Sequence, residues 1–145
     1  MRIRRARPSD LPQIVQIERL CFPDETAFPP DMFAYLIRHS IALVACEQHG
    51  RILGFIMGYT SGSGGAIYTL DVHPQHRRKG IGGMLMAAIE EELRDRGAKA
   101  IRLEAALDRP EALQLYHRAG YSERELIRNY YGRGRHAVRM WKRLE

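Results

Sequence analysis

A change of hydrophobic period between Ala66 and Arg96 constrains the fold more than any other feature of the chain. "AIYTLDV" (Ala66 to Val72) has the β-branched and aromatic content of a strand. "GIGGMLMAAIEEELRDR" (Gly80 to Arg96) instead repeats apolar residues at helical spacing, with Ile81, Leu85, Ala88, Ile89 and Leu93 on one side. Gly97 supplies the residue that commonly ends a helix. A further strand-like run, "AIRLEAA" (Ala100 to Ala106), follows at once. Strand, helix and strand in this order require a helix packed on a sheet.

The same alternation runs along the rest of the chain. "RIRRA" (Arg2 to Ala6) reads as an edge strand, and Pro8-Ser9-Asp10 opens a helix with Ser9 as its cap and Leu11, Ile14, Ile17 and Cys21 on its inner face. "CFPDETAFPP" (Cys21 to Pro30) is a proline-broken loop before a short helix near Asp31 to Arg38. "IALVACE" (Ile41 to Glu47) and "ILGFIMGYT" (Ile52 to Thr60) flank a turn at His49-Gly50 and predict a hairpin, and "SGSGG" (Ser61 to Gly65) reads as a flexible tip. "PEALQLYHRA" (Pro110 to Ala119) is a helix with proline in its first turn, closed by Gly120. Strands near Tyr121 to Arg128 and His136 to Lys142 flank "NYYGRGR". The expectation is a single α+β domain spanning residues 1–145, with a mixed, mostly antiparallel sheet of six to seven strands flanked by about four helices.

No run approaches the ~20 apolar residues of a membrane span, and "MRIRRARPSD" lacks the apolar stretch of a signal peptide. Cys21 and Cys46 are too few and too far apart for a disulfide framework or a metal cluster, so reduced thiols in the cytoplasm and no metal are expected. The net charge of +6 suits anionic partners without choosing among phosphates, acidic proteins and nucleic acid.

Between the strand and the long helix lies "HPQHRRKGIGG" (His73 to Gly83). A helix N-terminus carries unsatisfied N–H groups and a partial positive charge, which attract phosphate oxygens. Gly80 and Gly82 remove the Cβ atoms that would obstruct a close ligand, and Arg77, Arg78 and Lys79 add cationic contacts. The loop is neither a P-loop nor the dinucleotide pattern Gly-x-Gly-x-x-Gly. On its residues alone it is also compatible with a basic loop that binds nothing.

Arg-x-x-Gly-x-Gly directly after "LDVHP" and before a long helix resembles the coenzyme A loop of the GNAT superfamily of N-acetyltransferases, and the element order resembles the GNAT fold throughout. The resemblance implies acetyl-CoA as cosubstrate. It implies that Leu70, Asp71 and Val72 bind the pantetheine and polarise the thioester. It assigns the pyrophosphate to Arg77, Arg78, Lys79, Gly80, Ile81, Gly82 and Gly83. "IRLEAALDRPEALQLYHRAGY" (Ile101 to Tyr121), with "RNYY" further on, is similar to the ribosomal-protein-alanine and archaeal-type protein N-terminal acetyltransferases. Their Leu-Glu strand end and Ala-x-x-Leu-Tyr helix fall on Glu104 and Tyr116.

An α-amine, with a reference pKa of about 7.7–8.0, must lose a proton before attacking a thioester, and the departing thiolate needs one. The resemblance implies Glu104 as base, directly or through water, and Tyr116 as acid. Asp71 and His73 are rival bases near the preceding strand. By themselves Glu104 reads as a solvated strand end and Tyr116 as packing. Two departures bear on the acceptor: Ala106 stands where the relatives carry arginine, and Arg109 where they carry the coenzyme-contacting asparagine. Arg109 is expected to reach a coenzyme phosphate instead.

The resemblance also implies that the acceptor enters between "FPDETAFPP" and "NYYGRGR". Phe22, Phe28, Tyr130 and Tyr131 would line it and Glu25 would steer the amine, although Phe22 and Phe28 serve equally well as staples to the core. A protein or peptide N-terminus, including that of a ribosomal or other small basic protein, is the expected acceptor. A lysine side chain or a small-molecule amine is the alternative. Outside catalysis, Arg2, Arg4, Arg5 and Arg7 with "RGRHAVRMWKR" would make a nucleic-acid-binding face if the two ends of the sheet converge. Coenzyme binding without catalysis is the remaining reading.

Overall fold

The computed structural model describes residues 1–23 and 27–144. It contains one sheet of 7 strands: β1 (Arg2–Arg5), β2 (Ile41–Cys46), β3 (Ile52–Ser61), β4 (Gly64–Val72), β5 (Ala100–Ala106), β6 (Ser122–Ile127) and β7 (Ala137–Arg143). Their spatial order is β1-β2-β3-β4-β5-β7-β6. The helices are α1 (Leu11–Cys21), α2 (Pro30–His39), α3 (Ile81–Asp95) and α4 (Pro110–Arg118). Among the described residues, no helix is long and apolar enough to cross a membrane.

Each face of the sheet carries helices. Ile14 and Ile17 of α1, Phe33 and Leu36 of α2, and Val44 and Phe55 of the sheet form one apolar cluster. Leu85, Ile89 and Leu93 of α3 pack on Leu43, Ile56, Ile101, Leu103 and Met140 to form the other. Burial on both faces explains why β2 is apolar at every position, "IALVAC", instead of alternating. Helix α3 is the crossover between β4 and β5, which makes that pair parallel, whereas every other pair is antiparallel.

The parallel pair is short. Gly64, Gly65 and Ala66 pair with Ala100, Ile101 and Arg102, after which the two strands run on without bonding to each other. The sheet therefore opens between the C-terminal ends of β4 and β5. Leu70 and Val72 pack toward α3, as do Leu103 and Ala105. The period of a strand then puts Asp71 and Glu104 on the α1/α2 face, on the two lips of the opening.

Three expectations are corrected. Ser9 caps nothing: Pro8–Asp10 forms a 3₁₀ turn ahead of α1. The end is held by Asp10, whose Oδ2 accepts the Arg7 N–H at 2.7 Å and whose carboxylate takes Arg4 at 2.8 and 3.1 Å. "SGSGG" is no loose tip, because β3 runs to Ser61 and β4 starts at Gly64, closing a tight hairpin with Gly62 at φ 58°. The arginines of β1 and those of β7 lie toward opposite edges of the sheet, so no single basic face unites them.

Candidate active site

The candidate anion-binding element is built where β4 hands over to α3. His73 opens a 3₁₀ turn, Pro74–His76, and its Nδ1 accepts the Gln75 N–H at 3.1 Å. Burial and the neighbouring cations hold the His73 imidazole below its usual pKa. Arg77 turns back, its Nε donating to the Val72 carbonyl at 3.2 Å and its Nη2 to Cys21 Sγ at 3.3 Å. Arg78 and Gly80 both adopt left-handed conformations, with φ of 65° and 81°. Such reversals turn successive N–H groups toward one side, the arrangement of anion-binding concavities.

Arg78, Lys79, Gly80 and Gly83 are exposed around the start of α3, and Ile81 is buried beneath them. A Cβ at Gly80 or Gly83 would meet no atom within 4 Å, so the space over the helix end is open. Gly82 differs, since a Cβ there would come within 3.0 Å of Leu115 on α4. Its missing side chain lets α3 and α4 approach. The cradle fits a pyrophosphate.

Glu104 is the focus of the other lip. Its carboxylate accepts Arg139 Nε at 2.8 Å and Arg102 Nη1 at 3.1 Å. Tyr130 donates its hydroxyl to the other carboxylate oxygen at 3.5 Å, and Tyr131 donates to the Glu104 carbonyl at 3.2 Å. The two tyrosine rings stand edge to face, 4.9 Å apart. Asn129, at φ 57°, shapes this tip and accepts the Gly134 N–H at 2.8 Å. Arg135 clamps it to the turn after β5 through Asp108 at 2.9 Å, which holds the Asp108 carboxyl below the usual range. The phenols of Tyr130 and Tyr131 are pushed upward by burial first, and then by charged or phenolic neighbours including Glu104.

Tyr116 reaches the opening from α4. It is only 8% exposed, and its hydroxyl bonds to no described residue. Burial, with Tyr131 and Asp71 as electrostatic neighbours, pushes its phenol upward. It therefore stays protonated at neutral pH, with Asp71 and Tyr131 near it.

The residues expected on the acceptor side divide. Phe28 packs on Phe33 at 5.7 Å, which ties one side of its ring to the core. Phe22 lies under the Arg109 guanidinium, 4.1 Å away. Arg109 also donates to the Cys21 carbonyl at 3.2 Å, so in this structure it binds the end of α1. Glu25 lies outside the described residues. Cys21 is buried with its thiol pushed up to about 11, which makes it a poor nucleophile at neutral pH.

Sequence reasoning missed three residues. Arg102 lies two positions before Glu104 on the same strand face, a signal that was present, whereas Arg139 arrives only through the pairing of β7 with β5. Glu18, buried on α1 beside Asp71, was likewise unmarked.

Comparisons agree with this geometry. The profile of the acetyltransferase (GNAT) family matches residues 11–121. An N-alpha-acetyltransferase of Sulfurisphaera tokodaii is 31% identical, covering 96% of this chain and 90% of its own. The crystal structure of Ard1 from Thermoplasma volcanium superposes with a TM-score of 0.88 at 25% identity, covering 99% of this chain and 97% of that one. The ribosomal-protein-S18-alanine N-acetyltransferase of Escherichia coli gives a TM-score of 0.87 at 23% identity, covering 99% and 94%. The seven-stranded sheet that opens between β4 and β5, with a cationic glycine loop on one lip, is the GNAT fold; the chain belongs to that family and is an acetyl-CoA-dependent N-acetyltransferase.

Proposed function

We propose that the acceptor is the α-amine at the N-terminus of a polypeptide, with Glu104 as general base and Tyr116 as general acid. The observation that carries this reading is the convergence of both tip tyrosines on Glu104, one on its carboxylate and one on its carbonyl. Bound acetyl-CoA supplies the thioester and, after transfer, a thiolate in need of a proton. Backbone N–H groups from Arg77 to Gly83 hold its pyrophosphate, and the β4 main chain from Leu70 to Val72 lines the pantetheine path. Arg109, already turned across the opening, contributes its remaining N–H groups there.

Glu104 takes the amine proton at a carboxylate oxygen, directly or through water, while Arg102 and Arg139 fix its orientation. Tyr116 donates its hydroxyl proton to the sulfur. Tyr130 and Tyr131 bond the acceptor main chain, with Phe22 and Phe28 shaping the opposite wall. The cations beside Glu104 disfavour polycationic small amines, and an extended main chain is the better fit. The named activity of the Sulfurisphaera relative supports the same acceptor class, and the ribosomal-protein acetyltransferase fold neighbour extends it to ribosomal or other small basic proteins. The reading puts the protein in the cytoplasm.

The test is acetyl-CoA-dependent thiol release with peptides bearing free Ala, Ser or Met termini, beside N-blocked lysine peptides and spermidine. Turnover on free termini is expected, and Glu104→Gln should lower kcat by about 10²–10⁴, the usual contribution of a general base. Turnover confined to lysine or spermidine would overturn the acceptor assignment.

A further inference from the structure

We propose that Glu18 on α1 and Asp71 on β4 share one proton as a buried carboxyl pair, and that this pair is a positioning latch holding the acceptor loop at Phe28 against the coenzyme strand. The role in acceptor binding rests on the reading of the active site given above; the latch itself does not.

Glu18 and Asp71 are 3% and 2% exposed. Each uses one carboxylate oxygen on a visible partner. Glu18 Oε2 accepts the Phe28 N–H at 2.8 Å, and Asp71 Oδ1 accepts the Thr69 hydroxyl at 3.2 Å. The remaining oxygens, Glu18 Oε1 and Asp71 Oδ2, are buried without a donor among the described residues. Yet the two side chains lie within hydrogen-bonding reach of each other. Two buried acceptors in contact are unstable, both as unsatisfied oxygens and as like charges. One proton between them removes both defects. Burial, then Glu18, pushes the Asp71 carboxyl well above the usual range, consistent with that proton.

Among the described residues, the surroundings leave no better counter-charge. From α1, Cys21 presents a neutral thiol. From α4, Tyr116 presents a neutral phenol. Arg77, from the loop after β4, is the facing cation, and it is engaged with Cys21 Sγ and the Val72 carbonyl. Thr69 and Phe28 contribute only neutral donors.

The consequence is mechanical. Asp71 sits between Leu70 and Val72 on a paired strand, and it cannot move without breaking the Phe55–Asp71 register. Glu18 has the longer side chain and holds the loop main chain. One proton therefore joins three elements: α1, the coenzyme lip, and the loop that precedes α2. Glu18 and Asp71 act through this loop and are positioning residues.

Three readouts test the latch. In the infrared spectrum at pH 8, where exposed carboxyls are ionised, a protonated-carboxyl stretch is expected in the wild type. It should be missing in the Glu18→Gln/Asp71→Asn double variant. Hydrogen exchange at the Phe28 amide should quicken roughly 10- to 100-fold in Glu18→Ala, the worth of one hydrogen bond to a charged group. It should stay within about twofold of wild type in Glu18→Gln, whose carbonyl still accepts the Phe28 N–H and whose amide donates to Asp71. With whichever amine turns over, Glu18→Ala should raise the acceptor KM by a similar factor while leaving the acetyl-CoA KM within about twofold, and Glu18→Gln should restore it.

Absence of the infrared band in the wild type, or equal exchange in Glu18→Ala and wild type, would overturn the latch. Should Glu18→Ala not fold, wild type and the two isosteric variants still decide through the band. If no free N-terminus is a substrate but the band and the exchange behave as stated, the acceptor reading fails and the latch stands.

Discussion

Glu104 shows how far one residue's chemistry depends on neighbours that arrive from distant sequence. Its place at a strand end and its spacing from Tyr116 were legible, because both lie on continuous segments whose period sets their faces. The second cation was not legible: Arg139 faces Glu104 only because β7 pairs with β5 in one register, and register is a tertiary fact. The same holds for Glu18, which reads as an ordinary helix position until α1 is laid over β4. For Tyr116 the structure adds a pH prediction. Burial raises its phenol above the usual value of about 10, so the donor form persists throughout the neutral and mildly basic range. Tyr116→Phe should lower kcat by about 10²-fold or more, within the usual span for acid–base groups. The wild-type kcat profile should show no loss of an acid below about pH 10. A basic limb near pH 8–9 that disappears in Tyr116→Phe would refute the assignment.

At the scale of elements, the boundaries of helices and strands followed from hydrophobic period, whereas the devices that close their ends did not. Ser9 looked like a cap because serine so often is one, but Asp10 holds that position because Arg4, on the adjoining strand, can grip both its oxygens. The pair is well shielded, with side-chain exposures of 15% and 7%. The Arg4 hydrogen bond, chiefly, holds the Asp10 carboxyl below its usual range. A depressed folded pKa means that the stabilisation is fully present above the unfolded value of about 3.9 and is lost as pH falls through the folded one. Asp10→Asn should therefore cost about 2–3 kcal/mol at pH 7, less than a fully buried pair would. Urea unfolding of both proteins should show the gap narrowing as the pH drops below about 4. A gap that is constant from pH 7 to pH 3 would assign the loss to packing.

At the scale of the whole molecule, the sheet is two blocks, β1–β4 and β5–β7, joined edge to edge only along the short Gly64–Ala66 and Ala100–Arg102 pairing. Helix α3 bridges them, and the coenzyme path proposed above runs through the opening beyond. A ligand that fills that opening touches both blocks and binds only the folded chain, so it should stabilise the molecule as a unit. At 100 times its dissociation constant, coenzyme A should add about 2.7 kcal/mol. That corresponds to a rise in Tm of roughly 5–10 °C at this chain length. On the proposed assignment of Glu104 to the acceptor side, Glu104→Gln should keep the whole shift. Gly80→Val should lose most of it: the position needs φ 81°, which a β-branched residue resists, and the added side chain projects into the open space over the α3 terminus. Differential scanning calorimetry of the three proteins, with and without coenzyme A, separates the effects. The strain in Gly80→Val lowers the ligand-free Tm, and the lost cradle removes the increment. If the increment survives in Gly80→Val, the pyrophosphate is held elsewhere than at the start of α3.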